Sequence, residues 1–412
     1  MQPSDPNVTC SLNLQPELAS RATRFSSSTR SFCSWLVLKQ SSNMSTNKSE
    51  DMNDIAPTQK KRRRSIGDDA GRSAAGAAER KLTRADYTVG WICALRIEHV
   101  AAQVFLDEKH QAPEDVHPND DNDYTLGKIG RHNVVIAVLP NGEYGISSAT
   151  GVAKNMLSSF PNVRIGLMVG IGGGAPSQKH DIRLGDVVVS APCDGTGGVF
   201  QYDFGKAIQD GTFHTTGFLN QPPTFLRTAV NGLDAEYEIY GHKFEEAING
   251  VLEKLPRLRR RYGRPLPITD KLYKSTATHP SNSDQNCAEC CGNDLSNIVV
   301  RADRTEEDDN PAIHYGLIAS ANQVMKDARI RDTLIKEKDV LCFEMEAARL
   351  MNQFPCLVIR GICDYSDSHK SKEWQGYAAM TAAAYTKDLL SRIPIYKIEA
   401  ENRIADIIQG NY

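Results

Sequence analysis

Three short stretches put reactive side chains where a folded chain can use them. Asp364 directly follows the apolar run Cys356-Leu357-Val358-Ile359-Arg360-Gly361-Ile362-Cys363. A carboxyl at the end of a buried strand, in a cleft, is held protonated to higher pH by desolvation, which suits a general acid at neutral pH. The alternative for such an Asp is a cap on the next helix or turn. The second stretch is Phe343-Glu344-Met345-Glu346-Ala347-Ala348. On a helix, two carboxylates two residues apart diverge, so only one is expected to face a ligand; the alternative is a pair of acids favoured by a helix N-terminus. The third is Met168-Val169-Gly170-Ile171-Gly172-Gly173-Gly174, where glycines after a strand let a ligand approach the backbone. With Ala175 it also matches G-x-G-x-x-A. Pro176 to His180 shows no helical periodicity, however, so the helix N-terminus that would hold a dinucleotide pyrophosphate is missing. All three stretches end or follow strands, where an α/β sheet keeps its ligand crevice.

The elements that must position them alternate. Tyr87 to Leu95, Asn133 to Leu139, Arg164 to Val169, Asp186 to Ser190, Tyr315 to Ser320 and Cys356 to Cys363 read as strands, mostly buried on both sides. Helical spacing is expected around Val100, Val104 and Phe105, and over Gly151–Phe160, Val324–Leu334, Glu344–Phe354 and the alanine-rich Trp374–Ser391. Strands alternating with helices predict an α/β fold, a three-layer α/β/α sandwich around a central mixed sheet.

Composition sets the borders. Residues 1–83 are rich in Ser, Asn and charge and form a leader expected to be disordered. Arg21, Arg24 and Arg30 give it a mildly transit-peptide-like texture, and Met44 is an alternative start. Its run Lys60-Lys61-Arg62-Arg63-Arg64 reads either as a nuclear localisation signal or as a solvated charge run. The catalytic domain is expected over 84–398, with a polar surface excursion at about 255–312 and a tail at 399–412. A net charge of -3 gives no global basic field, so nucleic acid is not an expected partner, and no apolar run is long enough for a membrane helix. The ten cysteines are expected as reduced thiols. Cys287-x-x-Cys290-Cys291 could bind zinc, but it lacks a second pair at zinc-finger spacing and His279 stands nearby without a partner histidine, so reduced surface thiols are the favoured reading and no metal ligand is assigned.

The three reactive stretches, in this order, resemble the nucleoside phosphorylase and nucleosidase superfamily, over roughly residues 86 to 395. The likeness is nearest to its fungal branch, through the Cys-bearing insertion and Gly-Ile-Cys-Asp-Tyr-Ser-Asp. The resemblance implies that Glu346 binds ribose hydroxyls with Met345 packed on the sugar, and that Asp364 protonates purine N7. It also implies that Gly170, Ile171, Gly172 and Gly173 form a strand-end loop lining sugar and base, that Val324 and Met325 stack on the base, and that Glu98 activates a water. Cleavage leaves an oxocarbenium-like sugar and an anionic purine, so carboxylates on the sugar and a proton on the base suit that transition state.

The sequence departs from the phosphorylases at the nucleophile. Met168 and Ile171 stand where those enzymes place an arginine and a serine for phosphate, and neither side chain hydrogen-bonds an oxyanion. Water is therefore the favoured nucleophile and the expected activity is a purine N-ribohydrolase. Arg96 leaves a phosphorylase open, with inorganic phosphate as co-substrate. A non-enzymatic purine-sensing module is the alternative of another class. No cofactor is expected. The expected partner is a small purine nucleoside or nucleotide, with His369, Lys370 and Lys372 available for a 5′-phosphate. The superfamily's habits imply a homo-oligomer. The expected location is cytoplasmic or nuclear, ahead of mitochondrial.

Overall fold

A computed structural model describes residues 82–410, apart from 114, 210–212, 281–286, 292–294 and 306. The leader and its basic run 60–64 thus lie outside the described residues, save for the last two residues of 1–83. The chain opens with β1 (Val89–Cys93) and α1 (Arg96–Val104), then β2 (Glu108–Lys109), β3 (Tyr124–Ile129) and β4 (His132–Val138). The helix α2 (Ile146–Ser159) leads to β5 (Ile165–Gly174) and β6 (Val187–Ser190). Short strands β7 (Val199–Gln201), β8 (Gly205–Ala207) and β9 (Phe213–Thr215) precede α3 (Thr224–Tyr240), α4 (Phe244–Lys254), α5 (Arg259–Tyr262) and α6 (Cys287–Cys290). The last third runs β10 (Ile313–Ser320), α7 (Ala328–Lys338), β11 (Val340–Glu344), α8 (Ala347–Gln353), β12 (Cys356–Asp364) and α9 (Gln375–Arg392). It closes with α10 (Ile395–Glu399) and α11 (Ile404–Gln409).

A central mixed sheet has the order β11-β10-β6-β12-β5-β1-β4-β3-β2, with β7 beside β10. Strand β1 is buried at every residue, as a strand covered on both faces must be. Helices α1, α3 and α4 gather around α9, and α2 packs on α8 and β1. The alanines of α9 let its backbone come so close to β12 that a Cβ at Gly361 would sit 1.8 Å from the Ala378 carbonyl oxygen.

The central mixed sheet is as expected, but part of it is closed rather than an open layer of a sandwich. Strand β11 pairs back with β5 in antiparallel register (Cys342↔Gly174, Phe343↔Gly173), which closes β11, β10, β6, β12 and β5 into a ring. Glycine makes this possible. A Cβ at Gly172 would lie 2.5 Å from Cys342 Sγ of β11, so a larger residue there would hold the two strands apart, while one at Gly174 would meet Ile362 Cγ2 of β12 at 2.8 Å.

Other boundaries move too. Gly170–Gly174 is not a loop after the strand but its second half. Glu344 ends β11 rather than starting a helix, and Val324 and Met325 precede α7 rather than opening it. The 255–312 segment is more than an excursion. Tyr262, Leu272 and Tyr273 are buried, and Arg304 pairs with the fully buried Asp186 of the β6 approach. The tail is anchored as well: Ile404 is buried and its N–H donates to the Val163 carbonyl at 2.9 Å.

Candidate active site

The C-terminal ends of β5, β11 and β12 and the start of α1 enclose a cavity of about 270 Å³. Its walls bring together Glu98, Ile171, Gly172, Gly173, Val324, Met325, Met345, Glu346 and Asp364, drawn from five separate stretches of the chain. Gly170 lies just behind this wall. Arg96 does not line it: the side chain is exposed and its charge acts on Tyr262. Met168 is fully buried in β5.

Glu98 sits at the third helical position of α1 and turns back on the helix start. Its Oε2 accepts the N–H groups of Ala94 at 2.7 Å and Leu95 at 2.8 Å, and its Oε1 accepts that of Ile171 at 2.8 Å. These bonds satisfy otherwise orphaned donors at the helix terminus and fix the carboxylate against β5. Burial pushes its pKa up, while Arg360 and the three N–H groups oppose the rise. Each carboxylate oxygen has two acceptor sites, so Oε1 retains one for a water.

Behind Glu98 lies a residue with no role assigned from the sequence. Arg360 is fully buried in β12, with Nη2 bonded to Glu344 Oε2 and 3.3 Å from Glu346 Oε2. The sequence carried a signal for it, because an arginine inside a buried apolar strand requires carboxylate partners. Glu344 supplies one of them and also accepts the N–H groups of Glu346 at 3.0 Å and Ala347 at 3.1 Å. The helix-start reading of the acidic pair thus fits Glu344. The expectation that the two acids diverge fails, since both reach the same guanidinium. Burial pushes Glu346 up to about 7, with Arg360 opposing and the Glu344 and Glu98 charges reinforcing the rise.

At the other end of the cavity, Asp364 closes β12. Its Oδ1 accepts the Ser366 N–H at 2.8 Å and its Oδ2 the Lys370 ammonium at 3.0 Å. The carboxyl is therefore held by a turn and a cation rather than isolated in an apolar wall. Cβ atoms on Gly170 and Gly173 would meet Glu98 and Asp364 respectively, so the two acids approach β5 three residues apart. That is about 10 Å along a strand. Phe343, Met325 and Val324 supply the apolar wall between them. Of the three basic residues considered for a 5′-phosphate, only Lys370 lines the cavity; His369 stacks on Tyr273 at 3.8 Å and Lys372 is exposed. A larger groove of about 640 Å³ runs along β7 and α8 but holds none of these acids.

His279, which has no second histidine at zinc-finger spacing, nevertheless meets the cysteines: its Nδ1 lies 3.2 Å from Cys291 Sγ, 3.4 Å from Cys287 Sγ and 3.6 Å from Cys290 Sγ. The three thiols are half-buried, not surface groups.

No family model matches the chain. A nucleotide-binding leucine-rich repeat (NLR)-like protein of Hyaloscypha variabilis is 46% identical over 309 residues, 75% of this chain. The chain spans 30% of that relative's length. Among solved structures, the chain is similar to a 5′-methylthioadenosine/S-adenosylhomocysteine nucleosidase of Helicobacter pylori. The identity is 16% and the TM-score 0.47, covering 75% of this chain and 99% of the other. A futalosine hydrolase of the same organism is 16% identical with a TM-score of 0.46, over 75% and 99% of the two chains. The corresponding nucleosidase of Neisseria meningitidis is 14% identical with a TM-score of 0.46, over 74% and 99%. These three proteins belong to the nucleoside phosphorylase/nucleosidase superfamily, which the sequence motifs resemble.

Proposed function

We propose that this chain cleaves the N-glycosidic bond of a purine nucleoside or nucleotide with water as nucleophile. The observation that supports it is the convergence on one cavity of Glu98 and Glu346 at one end and Asp364 at the other. Glu346 receives the ribose hydroxyls, with Met345 against the sugar. Its carboxylate, backed by Arg360, stabilises charge building on the ribosyl ring. Val324, Met325 and Phe343 receive the base, and Asp364 passes to N7 a proton drawn from the Lys370 ammonium bonded to its Oδ2 as the bond to C1′ breaks. Glu98 takes a proton from a water, whose oxygen bonds to C1′ on the face opposite the leaving base. Free purine and a ribose retaining the substrate's 5′-group leave.

Electrostatics favour water over phosphate. Among the described residues, Glu98, Glu344, Glu346 and Asp364 line the cavity against one lining cation, Lys370, which is already paired with Asp364. A phosphate dianion needs several free donors. Arg96, which would have supplied one, lies outside.

The test is a panel of adenosine, inosine, guanosine, methylthioadenosine and ATP, incubated with purified protein with and without phosphate. Base release in phosphate-free buffer, with free ribose or its 5′-derivative as product, is expected. Glu98→Gln should cut it about a hundredfold or more, and Arg96→Ala should leave it nearly unchanged. Strict phosphate dependence with ribose 1-phosphate as product overturns hydrolysis. Tight purine binding without turnover of any substrate overturns catalysis and leaves a sensing module.

A further inference from the structure

We propose that His279, Cys287, Cys290 and Cys291 form a structural zinc site that ties the 255–312 segment to the loop following Asp364. The donor atoms come together from two stretches of chain. His279 Nδ1 is 3.2, 3.4 and 3.6 Å from the Sγ atoms of Cys291, Cys287 and Cys290, and the Cys290 and Cys291 sulfurs are 3.6 Å apart. The ligand atoms of His279, Cys290 and Cys291 all lie within 4.8 Å of one another; Cys287 Sγ stands outside that trio but 3.4 Å from His279 Nδ1, and is the fourth donor once it turns toward the ion. Zinc bonds of about 2.0–2.3 Å in a tetrahedron put neighbouring ligand atoms about 3.6–3.8 Å apart, so this spacing suits a shared ion.

The Nδ1 of a neutral imidazole has one lone pair and can accept from one thiol, yet three crowd it. A divalent cation at the centre takes that lone pair and all three sulfurs together. Its binding releases three thiol protons, leaving three thiolates and a neutral imidazole around it. Thiolate and imidazole ligands in tetrahedral order select zinc over the hard cations. Cys287 and Cys290 lie on the single turn of α6, at the C-x-x-C spacing of such sites. None of the three is in a disulfide.

The position suggests what the ion would hold. The His279 N–H donates to Ser368 Oγ at 2.9 Å, and its ring meets that of His369 edge-on at 5.9 Å. Ser368 and His369 lie between Asp364 and Lys370, whose ion pair closes one end of the cavity. An ion here fixes the back of that loop.

The full chain, expressed in zinc-supplemented medium and purified without chelator, is expected to carry about one zinc per chain by elemental analysis. Cobalt(II) added to metal-stripped, reduced protein should give thiolate charge-transfer bands and the visible absorption of a tetrahedral ion. His279→Ala and Cys291→Ser should lose the metal, and Cys193→Ser should keep it. Should either variant fail to fold, chelation of the wild-type chain should lower Tm, with recovery on adding zinc but not magnesium. A wild-type chain with under roughly a tenth of an equivalent of zinc and no cobalt bands overturns the site, as does undiminished zinc in folded His279→Ala and Cys291→Ser proteins. These readouts do not involve turnover, so they stand or fall apart from the glycosidic activity.

Discussion

Gly170→Ala tests the site through its smallest part. Gly170 has no unusual backbone angle, so an alanine there is limited only by space. Its Cβ would lie 2.3 Å from Glu98 Oε1, 2.5 Å from Glu98 Cδ and 2.6 Å from Arg360 Nη1. Ordinary contact is about 3.5 Å, so the Glu98 carboxylate must retreat by about 1 Å. It cannot do so freely, because Ala94, Leu95 and Ile171 hold it. Overpacking typically costs about 1–3 kcal/mol, and a lost bond to a charged acceptor about 1.5–3 kcal/mol more. Displacing a catalytic group by 1 Å costs about a hundredfold in rate. The expected result is a Tm lower by several degrees and kcat/KM lower by about a hundredfold. Differential scanning fluorimetry and chromatographic assay of base release, with the nucleoside turned over fastest, would measure both. Gly151→Ala is the control. That glycine lies in α2 with nothing within 4 Å of an added Cβ, so alanine should raise stability by about 0.5–1 kcal/mol and leave the kinetics alone. A Gly170→Ala protein with wild-type Tm and kcat/KM refutes the placement of Glu98 against β5.

Three further outcomes follow from the same geometry. Asp364→Asn should fold and lose about two to four orders of magnitude in turnover, the span for a general acid, whereas near-normal turnover removes Asp364 from that role. The acidic limb of kcat/KM should lie well above the ordinary glutamate range, because burial raises Glu98 and brings Glu346 to about 7; a limb at pH 4 to 5 contradicts this. Asp186 is fully buried, and although burial pushes its pKa up, Arg304 and His314 outweigh this and hold it below the ordinary value. Its stabilisation is therefore present above the unfolded pKa of about 3.9 and lost as pH falls through the lower folded value. Asp186→Asn should cost about 3–5 kcal/mol at neutral pH in denaturant titrations, and a difference that grows as the pH drops toward 3 would reverse the sign of this argument.

What the sequence made legible was local. Asp364 and the glycine run stood out because an apolar strand ran straight into them, and β1, β4, β6 and β12 were found within a residue or two from their apolar runs. The failures have a common physical cause. Strand β11 and helix α8 are separated only by Met345 and Glu346, with no glycine or proline between them. Their apolar residues therefore merge into one helical period. That merger assigned Glu344 to the wrong element and hid its partnership with Arg360, sixteen residues on. The meeting of His279 with three thiols was illegible for a similar reason: the zinc-finger spacing sought in the sequence concerns separation along the chain, and these donors are gathered by a fold around the Asp364 loop.

The glycine run shows how one local feature serves two distant ends. Glycine at 172 lets β11 close back on β5, glycine at 174 lets β12 lie close beside it, and the closure carries Glu344 and Glu346 to the guanidinium of Arg360. Glycine at 170 leaves room for the Glu98 carboxylate and Arg360 Nη1 on the same strand, and glycine at 173 leaves room for Asp364 and Ser366. A side chain at any of the four meets a neighbour at 2.8 Å or less. An open sheet would have left room for larger residues there, but would have separated the acids on β11 from those at β12 and α1. The same missing side chains that close the sheet thus set the distance between the two ends of the cavity, where the proposed proton donor and water-activating base would work.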